Sequence, residues 1–289
     1  MTHWDLTIPS YAKINLGLSV LGKRPDGYHN IHTIFQELEF HDTLYFRKHQ
    51  APVKITTDHA SLPVGKKNLV WQAVRIVQQH TGCSDQVAIH LEKRIPIGAG
   101  LGGGSSNAAA VLSGMNHLFQ LGLSHNELVE LGSQLGSDVP FFLYGGMALA
   151  TGKGEQIQPL ADLSPAWVVL VNPGIHVSSG WAYKNVNLKL TNSEEIISVL
   201  QNVDNQGITG MKHALLQNVL EGPVSQKYPV IQAIKAQLLE QGAEWAMMSG
   251  SGSTVFGIFS DNASAENTRQ KMERPGWLAV VTRTKQRKP

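Results

Sequence analysis

The sequence predicts an α+β protein of two domains, and three features carry that prediction. Val87–Lys93 alternates strictly, with Val87, Ile89 and Leu91 facing one way and Ala88, His90 and Glu92 the other, as in a strand with one buried face. After a glycine-rich loop, Ala108, Val111, Leu112, Met115, Leu118 and Phe119 recur at helical spacing. Beyond about residue 158 the pattern of strand and helix begins again, punctuated by Pro159 and Pro165. The expected domains are therefore residues 1–158 and 159–289, a division that a chain of 289 residues accommodates.

Each element has its own signal. Residues 6–20 and 37–46 alternate in part and read as strands, separated by the turn residues of Arg24-Pro25-Asp26-Gly27. Residues 69–80 place Val70, Ala73, Val74 and Val77 on one helical stripe. Ser124 followed by Glu127 is a capping box that opens a helix through Leu128, Leu131 and Leu135, ending at Gly136. The residue before Pro140 is expected outside helical geometry. Further on, 167–174 reads as a buried strand and turn, and helices are expected near 194–202, 211–221 and 229–241. A glycine-rich hairpin at 248–259, a helix and a strand at 277–284 complete the chain.

Composition is that of an ordinary globular protein, 42% hydrophobic and 16% charged. A net charge of +2 argues against a large polyanionic partner, so no nucleic acid is expected. The basic residues at 283–289 read as a solvated terminus. A single cysteine, Cys83, provides no disulfide framework and fits a reducing compartment. With no signal-peptide pattern and no apolar run near the ~20 residues that span a bilayer, the expected setting is cytoplasmic and away from membranes. Twelve histidines show no zinc-ligand spacing, and nothing in the sequence sets an oligomeric state.

The segment Pro96–Ala109, PIGAGLGGGSSNAA, is the most informative stretch. Gly98, Gly100 and Gly103 satisfy the dinucleotide fingerprint, but a Rossmann strand is apolar on both faces and a second strand should follow the helix. Here a second helix follows. A Walker A loop needs a lysine, and none occurs between Arg94 and Lys153. Tight packing explains one or two of these five glycines. An anion nest of backbone N–H groups, opening into the N-terminus of a strong helix at Ser105 and Ser106, explains the whole pattern.

That loop resembles the phosphate loop of the GHMP kinases, the superfamily of galactokinase, homoserine kinase and mevalonate kinase. Two further segments match in order: Ser10–His29, SYAKINLGLSVLGKRPDGYH, resembles the family's first motif, and Met248–Phe259, MSGSGSTVFGIF, its third. Together with Gly136-Ser-Asp-Val-Pro-Phe-Phe142 they resemble the subfamily that phosphorylates the 2-hydroxyl of a CDP-linked methylerythritol in the non-mevalonate route to isoprenoids. The resemblance implies a two-domain GHMP kinase fold with the active site in the cleft between domains, ATP as co-substrate and Mg²⁺ as its companion. Two alternatives remain: a kinase of homoserine or mevalonate type, and a non-catalytic nucleotide- or sugar-sensing protein on the same scaffold.

The resemblance assigns roles residue by residue. Asp138 corresponds to the catalytic aspartate, although a turn aspartate commonly bonds its own backbone. Lys13, in a strand-like apolar segment, is implied as its cationic partner, the bland alternative being a surface lysine. Asn15 shares a strand face with Lys13 and is a candidate contact to the polyol. Tyr28 and His29 match the residues that bind cytosine, and Tyr183 falls near a second aromatic, in a Ser178-Ser-Gly-Trp181 context that departs from the family's proline-containing pattern. Pro96, Ile97, Gly98, Ala99, Gly100, Leu101, Gly102, Gly103, Gly104, Ser105 and Ser106 form the implied ATP loop. Asn68 reads both as a helix cap and as a nucleotide contact. Ser105 or Ser106 is the candidate protein oxygen for Mg²⁺, which needs few protein ligands. No carboxylate ligand is assigned.

Overall fold

The structure, a computed structural model, describes residues 3–162, 164–186 and 217–287. It divides into two compact units interleaved along the chain. The first comprises Met1–Ala12, His41–Ile95 and Gly102–Tyr144; the second comprises Lys13–Phe40, Pro96–Leu101 and Gly145–Pro289. Strands β1 (Leu6–Lys23) and β2 (His29–His49) are both longer than their alternation predicts, and each runs through both units. The compact units therefore do not follow a single cut in the chain.

In the first unit, β2 pairs antiparallel with β4 (Gln86–Glu92), from Thr43 opposite Glu92 to His49 opposite Gln86. A short β3 (Lys54–Thr57) runs parallel to β4 on its other side. Helix α1 (Leu69–Thr81) buries Val70, Ala73, Val74 and Val77, the stripe read from sequence. Helix α2 (Gly103–Leu118) buries Ala108, Val111, Leu112 and Met115. Helix α3 (His125–Leu135) opens with the Ser124–Glu127 capping box and closes at Gly136. Leu44, Phe46, Ile89 and Leu91 of the strands share one core with these helices. Gly114 shows how tight that core is. A glycine inside a helix costs about 1 kcal/mol, yet a Cβ here would lie 2.7 Å from Cζ of Phe46.

Helix α4 (Val139–Tyr144) corrects the reading of the Gly136–Pro140 segment. Val139 is itself helical, so Pro140 falls in the first turn, where a missing N–H removes no intrahelical bond.

In the second unit, β2 pairs antiparallel with β5 (Met147–Thr151), which pairs with β6 (Gln156–Pro159). A separate antiparallel sheet has the order β10-β7-β9-β8, built from β7 (Trp167–Asn172), β8 (Trp245–Met248), β9 (Val255–Phe259) and β10 (Leu278–Arg283). The expected hairpin is β8–β9. Helices α5 (Ser179–Lys184), α6 (Glu221–Lys227), α7 (Val230–Glu240) and α8 (Asn262–Met272) accompany this sheet. Val169, Val171, Val224, Ile234, Leu238 and Phe259 lie in its core.

The helix expected near 194–202 lies outside the described residues, as does most of 211–221. What is described of the latter is not helical before Glu221. Asn218 instead bridges to Leu18 of β1. Among the described residues of the basic C-terminal run, Lys285 and Arg287 do not belong to a loose solvated tail. Lys285 Nζ is 2.8 Å from Glu37 Oε2, the Arg287 amide donates to Asp162, and its guanidinium donates to the Met147 carbonyl. None of the described helices is long and apolar enough to cross a membrane.

Candidate active site

In the second unit parts of all three sequence motifs meet, residues 13–29, 96–101 and 248–259. Lys13 and Asn15 sit two apart on β1 and point to the same side, as strand geometry requires. Both are buried, at 4% and 1% exposure. A buried ammonium needs acceptors: Lys13 Nζ donates to Asn15 Oδ1 at 2.6 Å and lies 4.8 Å from the centre of the Phe35 ring. Asn15 Nδ2 donates to Thr33 Oγ1, which donates to the Gly17 carbonyl. The amide side chain is thus held with its oxygen toward Lys13.

The strand is stitched to both glycine-rich loops through the backbone. Lys13 N donates to the Leu101 carbonyl at 3.0 Å. Asn15 N donates to Ser249 Oγ, and that hydroxyl donates to the Gly100 carbonyl at 2.9 Å. Thr254 N donates to the Ala99 carbonyl. At Gly250 a Cβ would lie 3.1 Å from Asn15 Oδ1. Asn218 holds the loop that follows Met248, its Nδ2 donating to the carbonyls of Met248 and Gly250. Thr33, Asn218 and Ser249 were not singled out from sequence. Ser249 lies inside a quoted motif, whereas Thr33 and Asn218 have no local signal.

The glycines of the long loop turn out to have intramolecular reasons more often than expected. Gly98, Gly100 and Gly102 all have positive φ, at 65°, 80° and 70°. A Cβ on Gly98 would meet the His176 ring at 2.5 Å, and one on Gly100 would lie 2.1 Å from the Ser249 carbonyl oxygen. Gly103 faces Ile95 and Lys93. Gly104 differs: it is exposed in the first turn of α2, and a Cβ there would touch only Leu69, at 3.6 Å. Packing therefore accounts for more of this loop than the one or two glycines first allotted to it.

Still in the second unit, the Arg24–His29 turn is tied by Arg24 to Asp26, and Gly27 has a φ of 87°. Tyr28 is 55% exposed, with Lys153 Nζ 5.1 Å from its ring centre. His29 stacks on Tyr183, with ring centroids 5.4 Å apart and planes 19° apart. Two aromatics named from distant motifs are thereby brought together. Burial, and then the nearby Lys23 charge, push the His29 imidazole below its ordinary value, so it is neutral at physiological pH.

In the first unit Gly102 is the N-cap of α2 and supplies no side chain to bond the first amides. Ser106 is buried and its hydroxyl accepts from Ser10 at 2.7 Å, whereas Ser105 is half-buried. Asn68 caps α1, accepting from the Val70 amide at 2.8 Å and donating to the Pro63 carbonyl at 2.6 Å. Asn68→Ala is therefore expected to lower stability by about 1 kcal/mol, read as a shifted urea midpoint at unchanged slope. Asp138 is half-buried in the turn between α3 and α4. It belongs to the first unit and Lys13 to the second. Cys83 is a free thiol whose pKa is raised mainly by burial, which disfavours the nucleophilic thiolate.

Two residues that sequence reading missed, Asp42 and Lys93, form a buried pair at 2.5 Å in the first unit. Burial pulls the Lys93 pKa down, and the Asp42 carboxylate opposes that shift. Among the described residues no group of three or more His, Cys, Asp and Glu side chains is placed to hold a metal.

Comparison with known proteins identifies the family. Residues 68–146 match the GHMP kinases N terminal domain and residues 199–276 the GHMP kinases C terminal domain. A 4-diphosphocytidyl-2-C-methyl-D-erythritol kinase from Geobacter sp. (strain M21) is 42% identical over 279 residues, covering 94% of this chain and 96% of that protein. A crystal structure of 4-(cytidine 5'-diphospho)-2C-methyl-D-erythritol kinase superposes with a TM-score of 0.80 at 33% identity, over 97% of this chain and 100% of that one. A homoserine kinase from Cytophaga hutchinsonii, at 18% identity and a TM-score of 0.75, covers 99% of this chain and 97% of its own, and shares the fold. With the Lys13–Asn15 strand, the two glycine loops and full-length relatives in agreement, the chain belongs to the GHMP kinases and, within them, to the 4-diphosphocytidyl-2-C-methyl-D-erythritol kinase family.

Proposed function

We propose that this chain transfers the γ-phosphoryl group of ATP to the 2-hydroxyl of 4-diphosphocytidyl-2-C-methyl-D-erythritol, in the non-mevalonate route to isoprenoid precursors. The observation that carries this reading is the backbone stitching of the Lys13–Asn15 strand to both glycine loops. It gives a buried cation and an oriented amide fixed beside the glycine loop. Full-length identity of about 40% to enzymes of that name supports the acceptor. The same reading includes a cytoplasmic setting, supported by the single free thiol. It also places the domain division near residue 158, between the two family matches.

In this reading the loop from Pro96 to Ser106 cradles the phosphates with backbone N–H groups, and the amino end of α2 adds its dipole. Asn68 lies toward the nucleotide. Mg²⁺ bound with ATP would neutralise charge on the phosphates. Ser105 fits one of its few protein ligands, because Ser106 is already bonded to Ser10. Asp138 takes or orients the proton of the acceptor hydroxyl. The acceptor oxygen bonds to the γ-phosphorus, the bond from that phosphorus to the β–γ bridging oxygen breaks, and ADP leaves. Lys13 stabilises negative charge on the transferring group or the acceptor oxygen, and Asn15 orients the polyol. Tyr28 and Tyr183 offer faces for stacking the cytosine, worth about 1–3 kcal/mol per base, while His29 meets the base edge.

A panel of acceptors tests the function. ADP release should depend on the CDP-linked polyol, with no release on homoserine or mevalonate. Phosphorylation of only an acceptor lacking cytidine would sink the assignment, and ATP left unconsumed with every acceptor would favour a sensing protein. The base site has its own test. Tyr183→Ala should raise KM for the acceptor about tenfold or more, with KM for ATP unchanged.

A pH profile checks His29. Its pKa is lowered, so KM for the acceptor should stay flat down to the ordinary imidazole value of about 6.5 and rise only below it. His29→Gln should remove that rise. His32 is lowered in the same direction by burial. Both rings bind protons more weakly folded than unfolded, so stability should fall as the pH drops through the ordinary imidazole range.

A further inference from the structure

Asp42 is buried completely, at 0% exposure, in the first unit. A carboxylate there is costly unless every lone pair is used, and this one takes four donors. Oδ1 accepts from the backbone amides of Arg94 at 2.7 Å and Ile95 at 2.8 Å. Oδ2 accepts from Lys93 Nζ at 2.5 Å and Asn107 Nδ2 at 2.9 Å.

The placement of these donors is the telling point. Pairing between β2 and β4 ends at Thr43 opposite Glu92. On the way out of β4 the Lys93 amide donates to Asp58 Oδ1, and the following two amides, of Arg94 and Ile95, bond to the Asp42 side chain in place of a neighbouring strand. Asn107 lies in the second turn of α2, on the far side of the glycine loop. Its Nδ2 also donates to Ser10 Oγ at 2.8 Å, and Ser10 in turn donates to Ser106. Lys93 Nζ lies 3.0 Å from where a Cβ on Gly103 would be. One carboxylate therefore ties the chain entering the loop to the helix leaving it.

We infer that Asp42 is a positioning residue for nucleotide binding, setting the span between the end of β4 and the first turn of α2. The inference rests on the reading of the loop as the phosphate cradle. A cradle made of backbone amides has no flexible lysine to make up for misplacement, and its affinity depends on where its two ends are held. Displacement of about 1 Å at such a site can cost around a hundredfold.

The test uses the full chain. Asp42→Asn keeps an oxygen for the Arg94 and Ile95 amides but turns an amide donor toward Lys93 and Asn107. Asn107→Ala is the gentler change, leaving the Asp42–Lys93 pair intact. Binding of a non-hydrolysable ATP analogue without acceptor is measured by calorimetry, alongside both KM values, with circular dichroism confirming folded protein. The expected result is a loss of about tenfold or more in analogue affinity, matched in KM for ATP, with KM for the acceptor within about twofold. Should Asp42→Asn not fold, Asn107→Ala decides. A folded Asn107→Ala protein with lowered melting temperature but wild-type analogue affinity overturns the inference and leaves the network a purely structural role. Failure of the wild-type chain to bind the analogue would instead overturn the cradle reading itself, and this inference with it.

Discussion

Turnover of the Asp138→Asn protein is expected to fall by about two to four orders of magnitude, the usual contribution of a group that accepts a proton in the transition state. Asparagine matches the carboxylate in size and still suits the half-buried turn between α3 and α4, so the fold should survive. It has no basicity to offer an alcohol. KM for both substrates should move far less than kcat, because the interaction matters most in the transition state. Lys13→Met should show a similar pattern, with a loss of about 10²–10³ in kcat if its charge meets the transferring phosphoryl. Methionine keeps the apolar stem beside Phe35, which alanine would not. Single-turnover measurements on folded protein decide both cases. Near-wild-type turnover in either variant would remove that residue from the mechanism.

Gly100→Ala and Gly104→Ala should behave oppositely although they lie four residues apart in one loop. At Gly100 the backbone is left-handed, with φ of 80°, and an added Cβ would lie 2.1 Å from the Ser249 carbonyl oxygen. Neither can be relieved without parting the loop from Ser249. The expected loss is about 3–5 kcal/mol, in the range reserved for backbone strain combined with broken packing. At Gly104, helical and exposed, the new methyl would only touch Leu69 at 3.6 Å. Stability should be unchanged or up to about 1 kcal/mol higher, since alanine is the better helix former. KM for ATP should nevertheless rise, because the methyl projects where the proposed phosphates approach. Thermal unfolding and ATP kinetics on the two proteins separate glycine kept for folding from glycine kept for ligand. Unchanged KM in Gly104→Ala would mean that the cradle does not reach this turn.

The legible parts of the fold were those whose signals are local. The Ser124–Glu127 capping box and the α1 stripe depend on residues within two turns of one another, and both stand as read; β4 buries Val87, Ile89 and Leu91 as expected, but Ala88 on its other face is buried as well. Val139 was misread because the rule for a residue before proline is a tendency, and the first turn of a helix needs no N–H from Pro140. The C-terminal basic run was misread for a different reason: its partners, Glu37 and Asp162, are 248 and 125 residues away in sequence.

Alone, the sequence determined the family, the order of its motifs and the candidate residues Lys13, Asn15, Tyr28, His29, Asp138 and Tyr183, because each sits in a short pattern with a chemical meaning. Tertiary structure decided which of them come into contact and with what. It laid His29 on Tyr183, joined the Lys13 strand to the Gly100 and Ser249 loops, and disclosed Asp42 bridging the two ends of the glycine loop. The physical reason is common to all three. A hydrogen bond or ring stack between distant segments leaves no periodic trace in either one, so only the folded backbone reveals it.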